Sequence, residues 1–410
     1  MAEGEAYYPF WVHRSRAEIL ELIGEWDRAL GIYREMVDRA GSCPDLECLA
    51  LGRVSLGWML HKKGDEAKAL ELLNRAEEYL GGRPAGDEYL SVLNKIGNIY
   101  NRLGENQRAV EIFDRSLELA HRMGDRVCTS VTLNNLGNTW GDMGDYRRAL
   151  EYYSQAYQID LEAGDNYSAS LDAGNMGWVY LEMEDRARAL ECWEKQMAWS
   201  EKFGDRHSVS IALGNMAAVH ILQGDYQTGR WEVEARLKIA REMGDKKGQS
   251  LAYSYLASIH RACGERELAG EALTRAIGLA REIGLRNYLA VFLLEKADVL
   301  FEAGRPTEAE DICQESLEIS EASGKADTAF KCRLLMARLL GTRQPQEGAR
   351  QLEALRGKAW QQSQRAVISH ELYRLTGEER HREEAREIYA QLYQQMPDDD
   401  YRKKLEELSR

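Results

Sequence analysis

Residues 133–165 read LNNLGNTWGDMGDYRRALEYYSQAYQIDLEAGD, and the fold is decided within them. Between Gly144 and Gly164, the residues Ala149, Leu150, Tyr153, Ala156, Tyr157 and Leu161 fall at steps of three and four. That spacing puts them on one stripe of a helix. Glycine takes the left-handed conformation that closes a helix without steric cost. Asp145 and Asp165, each directly after a glycine, are good first caps for the next helix. The stretch therefore predicts helix, tight turn, helix.

The same phrase returns every forty residues. One turn column holds Gly24, Gly64, Gly104, Gly144, Gly224, Gly264 and Gly304, with Glu184 as its exception. Five places on stands a small residue: Ala29, Ala69, Ala109, Ala149, Ala189, Gly229, Ala269 and Ala309. A second turn column holds Gly124, Gly164, Gly204, Gly244, Gly284 and Gly324. Two glycine columns at one constant spacing define a repeat array, in which each unit buries its apolar face on its neighbours. Each unit is predicted to be a hairpin of two antiparallel helices of about 16 residues, about 24 Å long.

Inside the unit the residue types are specific. The first helix carries an apolar residue followed by Gly or Ala: Leu56-Gly57, Ile96-Gly97, Leu136-Gly137, Met176-Gly177, Met216-Ala217 and Leu256-Ala257. An aromatic column follows with Tyr100, Trp140 and Tyr180, then His220 and His260. In the second helix Ala109, Phe113 and Ser116, or Ala149, Tyr153 and Ala156, repeat a small–aromatic–small pattern. The small residues let two helices approach closely, and the ring fills the space beside them.

This unit resembles the tetratricopeptide repeat in a forty-residue form, with Gly-Asp where the shorter repeat often ends in proline. The resemblance covers about nine-tenths of the chain and is closest to arrays with LGN and GDY phrases, found in spindle-orienting scaffolds and bacterial regulators. It implies an all-α, right-handed superhelical solenoid of about ten units plus a capping helix. The periodicity divides the chain into eight units over 1–324, two shorter hairpins over 325–395 and a charged C-terminal cap over 396–410. In the second part Gly341 falls three residues early for its column, and Gly377 follows. The cap opens at Met396-Pro397-Asp398-Asp399-Asp400.

Charge and composition narrow the function. With 54 Lys and Arg against 68 Asp and Glu, the net charge is −14. That disfavours nucleic acid as the main partner and mildly favours basic ones. The seven cysteines are odd in number and form no CxxC pair, which fits a reduced compartment. Cys43 and Cys48 read as ordinary thiols. No apolar run approaches the roughly 20 residues that span a bilayer. The start, Met1 to Phe10, lacks a basic segment followed by an apolar one. The expectation is a cytoplasmic protein without membrane insertion; oligomeric state is left open.

No metal, nucleotide or nucleophile motif occurs, so the sequence points to no cofactor, no metal and no enzymatic activity. His220 and His260 read as packed histidines in an aromatic column. A pocket with paired carboxylates or histidines would reopen the enzyme reading.

The strongest functional signal is a set of asparagines within the first helices. Asn135, Asn175 and Asn215 recur at forty; Asn94 and Asn134 share a second column, and Asn98 and Asn138 a third. Asparagine is a poor residue inside a helix, because its side chain competes for backbone hydrogen bonds. By resemblance to the repeat family, the first helices line a concave groove, and the column of Asn135, Asn175 and Asn215 matches asparagines that bind the backbone of an extended peptide. An amide offers both a donor and an acceptor, so it pairs with a peptide unit whatever its sequence. The other reading is a structural ladder of amides between repeats. Trp58 and Trp178, in the column of Asn98 and Asn138, and Tyr255, in the column of Asn135, are either groove anchors or packing residues. Arg102 is a candidate groove cation. The expected function is a scaffold or adaptor that holds a protein or peptide. The alternative is a ligand- or peptide-sensing module whose change of pitch controls an effector.

Overall fold

A computed structural model describes residues 2–22, 25–40, 46–82, 86–357, 359, 361–395 and 399–409. Gly24, Cys43 and Met396-Pro397-Asp398 lie outside the described residues. Every regular element among those described is a helix. The chain clusters into two compact units, Met1–Gly204 and Asp205–Arg410.

Among the described residues the first unit holds five helix pairs. These are α1 (Ala2–Leu22) with α2 (Trp26–Ala40), α3 (Leu46–Lys62) with α4 (Glu66–Gly81), and α5 (Asp87–Arg102) with α6 (Asn106–Met123). Then come α7 (Arg126–Asp142) with α8 (Tyr146–Ala163), and α9 (Asn166–Glu182) with α10 (Arg186–Phe203). The second unit holds α11 (Arg206–Leu222) with α12 (Tyr226–Glu242), α13 (Lys246–Ala262) with α14 (Arg266–Glu282), and α15 (Arg286–Glu302) with α16 (Pro306–Ala322). It continues with α17 (Ala326–Arg343) and α18 (Pro345–Arg356), then α19 (Gln362–Thr376) and α20 (Glu379–Gln395), and ends in α21 (Asp399–Ser409). Within each unit a helix packs on its hairpin partner and on the neighbouring pair, and successive first helices such as α5, α7 and α9 touch one another.

The turns form as the sequence predicts. From Gly64 to Gly324 the glycines of both columns have φ between +68° and +86°. Glu184 adopts +62° in the same place, so the one break in the column is a break in residue type and not in backbone. The aspartates after the glycines cap helices: Asp125 accepts from the Cys128 N–H at 2.9 Å, and Asp145 from the Arg148 N–H at 3.1 Å. Asp165, Asp185, Asp205, Asp225 and Asp245 do the same.

In the α5–α6, α7–α8 and α9–α10 pairs the crossing glycine is dictated by the ring opposite. A Cβ on Gly137 would lie 2.6 Å from the Tyr153 ring, and one on Gly177 would lie 2.6 Å from Trp193. Tyr153, Trp193 and Phe113 are almost wholly buried as a result.

One expectation needs correction. Gly341 marks no turn: it lies within α17, close against Gly348 of α18 and Leu375 of α19. A Cβ on Gly348 would come 2.5 Å from the Gly341 Cα. The residue serves close helix approach, and the turn follows Arg343 at Gln344, ahead of Pro345.

Candidate binding groove

In the first unit the asparagines of α5 and α7 form a connected set. Asn135 Nδ2 donates to Asn94 Oδ1 at 3.4 Å, and the Thr132 hydroxyl stands 3.1 Å from the same oxygen. Asn134 Nδ2 donates to Asp172 Oδ1 on α9 at 2.5 Å. Asn138 Nδ2 donates to Asn134 Oδ1 at 3.3 Å, and the Tyr153 hydroxyl donates to Asn138 Oδ1 at 2.7 Å. These bonds bridge α5 to α7 and α7 to α9, so Asn94, Asn134, Asn135 and Asn138 make a ladder between repeats. Asn98 and Asn175 make no side-chain hydrogen bond among the described residues, and neither does Asn215 in the second unit. All three are half-buried.

The other candidates are placed as follows. Trp178 packs its ring against Gly141 and edge-on against Tyr146, yet stays 39% exposed. Trp58 lies beside His61, with the ammonium groups of Lys62 and Lys95 near its ring. Arg102, at the end of α5, pairs with Glu66 at 3.0 Å. In the second unit Tyr255 is half-buried with the Arg236 guanidinium 5.9 Å from its ring centre. Arg236 is itself buried over Gly214, where a Cβ would collide with it. His220 and His260 each meet a carboxylate of their own hairpin, Glu232 at 2.9 Å and Glu265 at 2.5 Å. Among the described residues no group of three or more His, Cys, Asp or Glu is placed to hold a metal ion.

A cavity of about 320 Å³ opens on the face where α7, α8 and α9 meet. Asn134, Asn135 and Asn175 line it, with the exposed apolar residues Val127, Val131 and Leu171. Its remaining wall is acidic. Asp160 of α8 is 6% exposed and Asp172 of α9 is 2% exposed. Burial pushes the Asp172 carboxyl up to about 8; the Asn134 amide works against this, and the nearby Asp160 charge adds to it. Burial raises Asp160 as well. At neutral pH the two carboxyls therefore hold a proton between them.

The sequence reading passed over Asp160, Asp172, Val127, Val131 and Leu171. A signal for Asp172 was present. From residue 52 to residue 332, its forty-residue column otherwise holds Gly52, Val92, Thr132, Ala212, Ala252, Phe292 and Cys332, and a carboxylate in a buried column of uncharged residues breaks the pattern.

Stacked antiparallel hairpins with a crossing glycine under an aromatic ring define a helical-repeat protein. A tetratricopeptide-repeat family model matches residues 88–162, and a model described as anaphase-promoting complex subunit 5 matches 138–260 and 249–297. Residues 88–162 thus carry tetratricopeptide repeats, and the described hairpins on either side repeat the same fold. No curated protein matches the sequence. Among solved structures it is similar to the apo form of RapI, at 18% identity and TM-score 0.55, over 68% of this chain and 99% of that one. It is also similar to a Rap protein complexed with competence and sporulation factor, at 13% identity and TM-score 0.51, over 78% and 99%. A third is a signal-transduction ATPase with numerous domains and a tetratricopeptide-repeat sensor from Pyrococcus horikoshii. There the identity is 14% and the TM-score 0.58, over 80% of this chain and 52% of that one. At these identities the likeness is one of fold.

Proposed function

We propose that the chain is a protein-interaction scaffold that holds a peptide segment against the first-helix face of α5, α7 and α9. One observation carries the reading: the cavity over α7 and α9 combines exposed apolar side chains with the amide of Asn175, which has no hydrogen-bond partner among the described residues. Apolar positions supply area, and the amide supplies a donor and an acceptor for a peptide backbone. Asn135 serves the ladder and remains within reach of the cavity, so structural and binding roles coexist in one column.

The test is affinity for a peptide selected on the full chain from a random dodecapeptide display library, read by fluorescence polarisation. Replacing Asn135 and Asn175 by Ala is expected to weaken binding about tenfold or more, at roughly 1 kcal/mol per lost backbone bond. Undiminished affinity in a variant of unchanged helicity and melting would sink the groove.

A second reading is a sensor, in which the occupied array changes pitch and controls an effector. The similarity to a protein with a tetratricopeptide-repeat sensor and to a Rap protein complexed with competence and sporulation factor supports it at the level of fold. Small-angle scattering with and without the selected peptide separates the two: an unchanged radius of gyration favours the passive scaffold.

We also propose that the array is not an enzyme. The paired carboxylates Asp160 and Asp172 meet one condition for catalysis. The cavity they wall, however, has no histidine, lysine or cysteine among its lining residues to work with them or with the Ser130 hydroxyl beside Asp160.

A further inference from the structure

We infer that Asp160 and Asp172 form a subsite for one organic cation, an alkylammonium or guanidinium group carried by the segment in the groove. This rests on the groove reading above and deepens it.

The pair makes poor sense as a stabilising element. Asp172 Oδ1 receives one bond, from Asn134, while the buried Oδ2 finds no donor among the described residues. Neither carboxyl meets a Lys or Arg in the described ion pairs. A buried carboxylate without a counter-charge costs free energy and is normally paired or replaced. Here two converge on the wall of a cavity that opens to solvent.

The surroundings fit the head and stem of a cationic side chain. Asn135 and Asn175 offer amide oxygens to N–H groups that the carboxyls leave over, and Val131 and Leu171 offer apolar surface to a methylene stem. A metal ion fits less well, since two carboxylates converge and no larger ligand group is present among the described residues. The groups facing Asp172 are Asp160 from α8, Asn134 from α7 and the capping Asp165 of its own helix. From α10, Gln196 and Trp193 pack against Gly174 and Gly177 of α9. An arriving cation would displace the proton that the pair holds, so affinity should rise with pH through the Asp172 pKa of about 8 and level off above it.

The test uses the full chain, carboxyl-labelled at aspartate, titrated by NMR with four short alanine peptides. One has a free N-terminus and a neutral interior. Two are acetylated and amidated with a central Lys or Arg. The fourth is acetylated and amidated with a central Gln. At pH 8 at least one cationic peptide is expected to bind ten times or more tighter than the Gln peptide and to shift the Asp172 carboxyl. Which one binds tells a chain terminus from a side chain. At pH 6 that preference should fall at least tenfold. Asp172→Asn, which retains the bond from Asn134, and separately Asp160→Asn should remove the preference, bringing the cationic peptides to the affinity of the Gln peptide for the same variant. Equal binding of all four peptides, or a preference that survives both variants, overturns the subsite and leaves the groove standing. Binding of none overturns both. A carboxyl shift produced by magnesium or calcium alone, or cleavage of a peptide seen by mass spectrometry, also overturns the subsite.

Discussion

Two residues carry costs that the fold does not need. Glu184 holds φ at +62°, a conformation that costs a side-chain-bearing residue about 1–2 kcal/mol. Glu184→Gly should therefore stabilise the chain by roughly 1 kcal/mol, less than the full strain because glycine loses more entropy on folding. The check is a urea melt, in which the midpoint rises while the slope is unchanged. Asp172 bears the second cost. Its folded-state pKa is raised, so between about 4 and 8 the folded chain binds more protons than the unfolded one. Stability contributed by the buried neutral carboxyl is then lost as pH rises through that window. Asp172→Asn should melt a few degrees above the parent at pH 8, with the gap closing as pH falls towards 4. An equal gap at both pH values would refute this.

At the scale of the element, the hairpin depends on two devices, the capped turn and the crossing under a ring. Gly177→Ala places a methyl 2.6 Å from the Trp193 indole, whose N–H donates to the Gly174 carbonyl at 3.1 Å. Ala149→Leu overfills the crossing where Ala149 is fully buried. Each should cost about 1–3 kcal/mol by equilibrium denaturation. Helicity should persist in both, because the neighbouring hairpins keep their own turns.

At the scale of the whole molecule, stability in a repeat array is a sum over units and their interfaces. The described end helices, α1 and α21, have neighbours on one side in their units, whereas α7 and α9 are packed on both. Amide hydrogen exchange should therefore be slowest in α7 to α9 and fastest in α1 and α21. Uniform protection along the chain would contradict nearest-neighbour energetics.

Helix, turn and repeat were legible in residues 133–165 because each is a local matter. A glycine column fixes a left-handed φ, an aspartate caps the next helix, and apolar steps of three and four pick the buried stripe. The turn misassigned at Gly341 shows the limit of that reasoning. A glycine serves a turn and a close helix contact equally well, and only the approach of Gly348 and Leu375 tells which. The asparagine columns were legible as an anomaly. Their division into a bonded ladder at Asn94, Asn134, Asn135 and Asn138 and an unbonded amide at Asn175 was not, since it depends on which neighbour stands across the repeat interface. Asp160 and Asp172 lie twelve positions apart on separate helices, and nothing in their spacing pairs them. Sequence by itself determined the unit, its pitch and its turns, which arise from interactions within a few residues. Tertiary structure alone decided which polar groups meet across helices. That meeting depends on side-chain distances and burial between repeats, which local periodicity does not encode.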